Sequence, residues 1–249
     1  MLPSFLILGG QRCGTTSLYR YLSEHPSVTP PLLKEIQFFT LNYFRGVDWY
    51  RGHFPPAGDT ASTFDASPYY LFHPLAAERA GAVLPQARCI ALVRNPVERA
   101  FSHYQHNVGL GVEDLSFEHA LDAEGERLAG EEERICADQG YASAAHRRFS
   151  YAARGEYEPQ LRRWLDHFQG RLEVVVSEEF FADTGEVFDH ILKFLGLPEF
   201  RLDSYEAYTR RRTSGAPAMD ERTRQRLRER FAEPNRRLEA LLGRTLPWS

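Results

Sequence analysis

The sequence predicts an α/β fold: a P-loop-type parallel β-sheet flanked by helices, in three layers, αβα. Three observations carry that prediction. Short, predominantly apolar runs recur along the chain, as strands buried on both faces require. Each is followed by a polar or glycine-marked turn and then by helical periodicity, the alternation that builds parallel sheets. The first such turn also has the glycine spacing of a phosphate-binding loop.

The elements follow in order. Residues 5–8 are apolar and closed by Gly9-Gly10, which predicts a buried strand too short to be a helix. After Thr15-Thr16-Ser17, residues 18–22 read as helix and stop before Pro26. Residues 89–93 (CIALV) form a second strand, followed by Arg94-Asn95-Pro96. Proline is tolerated in a first helical turn, so Pro96 opens a helix through His106. Helices are predicted over 157–168, about 185–195 and 220–242, with a third strand at 172–176. In the last helix Leu227, Phe231, Leu238 and Leu241 fall on the apolar side, and Asp220 is an expected N-cap. The acidic stretch 124–134 is expected to be an exposed helix or loop.

Composition bounds the function. The chain has 249 residues, 43% of them hydrophobic, enough for one α/β domain spanning 1–249 and against global disorder. The net charge of −4 argues against a blanket polyanion binder, and no nucleic-acid partner is expected. Cys13, Cys89 and Cys136 are odd in number and form no CxxC pair, so neither a disulfide framework nor a zinc site is indicated. The apolar opening is too short to span a bilayer and lacks a basic flank. A cytoplasmic protein without an integral membrane segment is expected, and a homo-oligomer is compatible with the sequence. Arginine supplies almost all the positive charge; lysine occurs only at Lys34 and Lys193.

Residues 9–16 read GGQRCGTT, with Gly9 and Gly14 at phosphate-loop spacing between a strand and a helix. Glycines let successive N–H groups turn inward, the helix N-terminus adds positive potential, and Thr15, Thr16 and Ser17 add hydroxyls. An anion belongs there. Yet the position after Gly14 is Thr15, where a nucleoside-triphosphatase loop needs lysine. No strand ends in the aspartate that would hold magnesium. Downstream, Arg94 at a strand end and Ser102 in the next helix offer a cation and a hydroxyl for a second phosphate. Glu35 in KEIQFF is a carboxylate flanked by apolar residues, a setting that raises a pKa toward general-base work, though a surface Lys-Glu pair reads equally well. His106 shares a helix face with Ser102 at i+4. His103 and His106 lack the acidic partner that a metal pair would need.

GGQRCGTTSLYRYL resembles the 5′-phosphosulfate loop of sulfotransferases that use 3′-phosphoadenosine 5′-phosphosulfate (PAPS). KEIQFF, GVDWY and RNPVERAFSHYQH are similar to the heparan sulfate N- and 3-O-sulfotransferase branch. The resemblance implies a nucleotide site made of Arg12, Cys13, Gly14, Thr15, Thr16 and Ser17 at the 5′ end. Arg94 and Ser102 would hold the 3′-phosphate, with Arg212 closing over the nucleotide. The family's loop lysine falls at Arg12. The same resemblance implies Glu35 as catalytic base and His106, with Arg12, as stabilisers of the leaving group. It implies PAPS as co-substrate, 3′-phosphoadenosine 5′-phosphate (PAP) as product, and no metal. The acceptor is expected to be a small molecule, lipid or glycan, with its pocket drawn from 40–80 and 107–155. Two other readings remain open at this point: a P-loop small-molecule kinase, and a non-catalytic binder of sulfated or phosphorylated ligands.

Overall fold

The computed structural model describes residues 1–56, 62–208 and 218–248. Along the chain these form β1 (Phe5–Gly9), α1 (Thr15–Glu24), α2 (Gly46–Arg51), β2 (Phe64–Ala66), α3 (Ala76–Val83), β3 (Arg88–Val93) and α4 (Pro96–Gly109). There follow α5 (Phe117–Leu128), α6 (Glu131–Ala137), α7 (Ala144–Arg148), α8 (Tyr157–Phe168), β4 (Leu172–Val176), α9 (Ser177–Ala182), α10 (Thr184–Leu195) and α11 (Glu221–Leu242).

The sheet has the order β2-β1-β3-β4, and every pairing is parallel. β1 is buried along its whole length, which is why its sequence is continuously apolar rather than alternating. The chain steps from β1 to β2 in one direction, then back past β1 to β3. Right-handed crossovers therefore place α1 and α3 on opposite faces, giving the layered α/β architecture. The strand order reverses between β1 and β3. In open α/β sheets the crevice beyond the strand ends at such a point is where ligands bind.

By internal contacts the chain divides into two compact units, Met1–Val93 with Arg163–Thr209, and Arg94–Arg162 with Arg210–Ser249. In the first, Phe5, Ile7, Ile90 and Leu92 of the sheet pack with Leu18, Tyr21 and Leu22 of α1 and Phe188, Ile191 and Leu192 of α10. Each such aliphatic side chain contributes roughly 1.5–3 kcal/mol by leaving water. In the second, Val97, Ala100 and Phe101 of α4 meet Phe117 and Leu121 of α5 and Leu227 and Phe231 of α11.

Three features depart from the sequence expectation. β2 lies within 40–80, where no strand is predicted, because three residues are too few to show a period. The acidic stretch is helical, in α5 and α6, but not wholly solvated. Glu124 is buried and accepts the N–H groups of Ala152 and Ala153, and buried Glu131 accepts from Tyr141 and Ser143. Asp220 does precede α11, but its side chain makes no capping hydrogen bond.

Candidate active site

The loop after β1 is built on close backbone approaches. Gly9 has φ +131°, and a Cβ there would lie 2.5 Å from the Pro68 carbonyl oxygen. Gly14 has φ +94°, and a Cβ would lie 2.9 Å from the Phe181 ring of α9. Both positions demand glycine on conformational and steric grounds. The Gly10 N–H donates to the Leu92 carbonyl of β3, and the Ser177 hydroxyl donates to the Cys13 carbonyl at 2.6 Å. The loop is thus pinned from β3 and from the start of α9. No acidic residue occupies the first turn of α1, and no side chain caps its N-terminus. Its first N–H groups keep their positive potential for an outside acceptor.

Positions within the loop differ in what they present. Thr15 and Thr16 open α1, the former buried and the latter half-buried. The Cys13 side chain is fully buried, and its N–H bonds the Gly10 carbonyl. Ser17 is also fully buried, and its hydroxyl accepts the Tyr208 N–H at 3.0 Å. These two side chains support the loop from behind.

Among the described residues, the non-glycine residues at positive φ are Arg12 (70°), Glu35 (60°) and Gln37 (56°). Such backbone costs about 1–3 kcal/mol per residue and persists only where the surroundings impose it. Around Glu35 the imposing contacts are visible. The Ser67 hydroxyl accepts the Gln37 N–H at 3.1 Å, and the Tyr70 hydroxyl accepts the Phe38 N–H at 2.8 Å. Arg79 donates to the carbonyls of Phe39 and Thr40, and the Asn42 amide donates to the Ile36 carbonyl. Behind them Asp65 of β2 accepts from Tyr50, Ser67 and Tyr70. Asp65 is fully buried, and desolvation raises its pKa from 3.8 to about 6 against the opposing pull of those hydrogen bonds.

The sequence placed Glu35 among apolar groups. Instead Ile36, Phe38 and Phe39 turn into the core, while the Glu35 side chain is 46% exposed. The positive φ at Glu35 and Gln37 explains the outcome, since the chain reverses face within two residues. The desolvated carboxylate of this region is Asp65.

In the second unit, Arg94 directly follows β3. The Tyr157 hydroxyl donates to the Arg94 carbonyl at 2.8 Å and accepts its N–H at 3.3 Å. Asn95 caps α4, accepting the N–H groups of Val97 and Glu98, and Pro96 fills the first helical position. The Arg-Asn-Pro sequence is therefore a strand end, a cap and a helix start in succession. Ser102 and His106 lie half-buried one turn apart on α4. His103 turns inward, fully buried, with its ring 4.9 Å from that of Tyr151, so it does not share the His106 face. Arg212 lies outside the described residues, together with Arg210 and Arg211.

Several groups escaped the sequence reading: Asp65, Ser67, Tyr157, Ser177, Phe181 and Lys34. Tyr69 and Tyr70, within the stretch 40–80 expected to supply the acceptor pocket, are both buried, and Tyr70 serves the Asp65 cluster. The spacing Asp65-x-Ser67-x-x-Tyr70 was the available signal. The others are joined to the site by long-range contacts that leave no local trace. Among the described residues no group of three or more His, Cys, Asp or Glu is arranged to hold a metal ion, and no helix is long and apolar enough to cross a membrane.

A family profile described as "Sulfotransferase domain" matches residues 2–228. The chain is 32% identical over 215 residues to the bifunctional heparan sulfate N-deacetylase/N-sulfotransferase 1 of Caenorhabditis briggsae, covering 82% of this chain and 24% of that protein. It thus spans about a quarter of the length of that curated relative. A crystal structure of a sulfotransferase from Alicyclobacillus acidocaldarius superposes with a TM-score of 0.78 at 34% identity, covering 99% of this chain and 98% of the other. The mouse sulfotransferase SULT7A1, complexed with PAP, shares the fold, with a TM-score of 0.53 at 15% identity over 94% of this chain and 84% of that one. The chain belongs to the sulfotransferase domain family.

Proposed function

We propose that the protein, as a single catalytic domain over 1–249, transfers the sulfuryl group of PAPS to a hydroxyl or amine of a glycan, lipid or small-molecule acceptor. The observation that carries this reading is the uncapped start of α1 behind a glycine-built loop, with strained Arg12 inside the loop and strained Glu35 on a braced turn. Strain of this kind is maintained where a fixed geometry serves chemistry. The PAP complex of the mouse enzyme supports the choice of nucleotide.

In this reading the N–H groups and hydroxyls of Gly14, Thr15 and Thr16, with Arg12, receive the 5′-phosphosulfate. Cys13 and Ser17 hold the loop's shape. Arg94 and Ser102 bind the 3′-phosphate, and Arg212 closes over the nucleotide. Glu35 takes the proton of the acceptor oxygen or nitrogen. That atom forms a bond to sulfur as the bond between sulfur and the bridging oxygen breaks, and the electron pair leaves with the nucleotide phosphate. Arg12 and His106 stabilise the charge growing on that oxygen. The chemistry is in-line displacement, so positioning and electrostatics supply most of the rate. No metal is needed, and the site requires no membrane segment; we place the reaction in the cytoplasm. Calorimetric titration with PAP tests the donor assignment. Tighter binding of PAP than of adenosine 5′-phosphate is expected, and equal or absent binding of both contradicts it.

A further inference from the structure

The phosphate loop lacks a lysine at both places where one would be sought: Thr15 follows Gly14, and Arg12 stands two residues before it. The fold supplies one from elsewhere. Lys34 Nζ donates to Thr16 Oγ1 at 2.9 Å, across 18 residues of sequence. Thr16 is the second residue of α1, in the turn whose N–H groups form the anion cradle. The ammonium therefore sits at the mouth of that cradle. Its Nζ lies over the Tyr19 ring, 5.5 Å from the centroid, a cation–π contact.

We propose that Lys34 is a catalytic residue, donating from its ammonium to the phosphate that leaves during sulfuryl transfer. This inference rests on the reading that the loop of residues 9–17 holds the 5′-phosphosulfate. An ammonium carries three donors, of which Thr16 engages one. A compact ammonium on a flexible stem can follow charge from the sulfuryl group to the bridging oxygen, which a planar guanidinium at position 12 does less well. Burial pushes the Lys34 pKa down, while the neighbouring Glu35 carboxylate, 4.0 Å away, opposes this. A half-desolvated cation interacts more strongly with a phosphate than a fully hydrated one.

Two adjacent residues then serve opposite ends of one displacement. Glu35 accepts the proton from the attacking atom. Lys34 stabilises the oxygen that departs with the electron pair of the broken sulfur–oxygen bond. The proton balance closes on Glu35, and Lys34 keeps its own protons throughout.

The test compares wild type, Lys34→Ala and Lys34→Arg for turnover of PAPS, for equilibrium affinity for PAP, and for chemical rescue by ethylammonium. Lys34→Ala is expected to lower kcat about 100-fold, the loss typical of one transition-state donor. PAP affinity should change less than about tenfold. Ethylammonium should restore at least about tenfold of the lost rate, and Lys34→Arg should retain part of it. Should Lys34→Ala fail to fold, Lys34→Met keeps an unbranched apolar stem without the ammonium and is read the same way. A kcat within about threefold of wild type overturns the proposal. So does a loss that neither arginine nor ethylammonium repairs. A wild-type protein that turns over PAPS while Lys34→Ala is unimpaired removes only Lys34. A wild-type protein that does not bind PAP removes the nucleotide reading and Lys34 with it.

Discussion

The Tyr70 hydroxyl donates to Asp65 Oδ2 at 2.6 Å and, from the same oxygen, accepts the Phe38 N–H at 2.8 Å. Through this one hydroxyl a buried strand carboxylate holds the backbone that presents Glu35. The folded Asp65 pKa of about 6 lies above the ordinary 3.8, so the native state binds that proton more tightly than the unfolded chain. The resulting stability is full below about pH 4 and is lost as pH rises through about 6. Its size is about 3 kcal/mol. An asparagine keeps an acceptor oxygen for the tyrosines and has no such titration. In urea unfolding, the stability difference between Asp65→Asn and wild type should shift in the variant's favour by up to about 3 kcal/mol between acid and neutral pH. A difference independent of pH would sink the assignment.

Gly14→Ala combines strained backbone at φ +94° with a Cβ 2.9 Å from the Phe181 ring. The loop must shift away from α9, which moves the N–H groups it presents. PAP affinity should fall by at least about tenfold, while the variant still folds. Phe181→Ala in the same chain relieves the clash but not the φ strain, so partial recovery is expected. Unchanged affinity in the single variant would show that the loop does not form the nucleotide cradle.

Arg94 and Ser102 are assigned to the 3′-phosphate, a group absent from adenosine 5′-phosphosulfate. A hydrogen bond to a charged group contributes about 1.5–3 kcal/mol, or roughly 10–100-fold in affinity. Arg94→Ala should therefore weaken PAP by that factor and leave adenosine 5′-phosphate almost untouched. Tyr157→Phe, which removes both contacts to the Arg94 backbone, should produce a smaller loss of the same selectivity. Equal weakening of both nucleotides would place Arg94 elsewhere in the mechanism.

Much of the fold was legible because the sheet is parallel and buried. The runs at 5–8 and 89–93 are continuous apolar strands, 172–176 is apolar but for Glu173, and α8, α10 and α11 lie where their periodicity placed them. β2 was not legible, since a three-residue strand shows no pattern of its own. The loop glycines could be read because their spacing is a local constraint. Lys34 and Ser177 could not. Lys34 meets Thr16 and Ser177 meets Cys13 only once the chain has folded. The exposure of Glu35 was misjudged for a related reason. Composition shows its apolar neighbours, whereas positive φ at Glu35 and Gln37 decides which way they point.

The central claim is that Glu35 drives sulfuryl transfer from a nucleotide held by the loop of residues 9–17. Its most direct test is transfer of label from radiolabelled PAPS to a panel of hydroxyl and amine acceptors, by wild type and Glu35→Gln in parallel. Wild type should label at least one acceptor. Glu35→Gln, with its exposed side chain changed by a single group, should bind PAP as wild type does and transfer about 100–10,000-fold more slowly. Wild-type turnover in Glu35→Gln, or no labelled product from any acceptor with wild type, would contradict it.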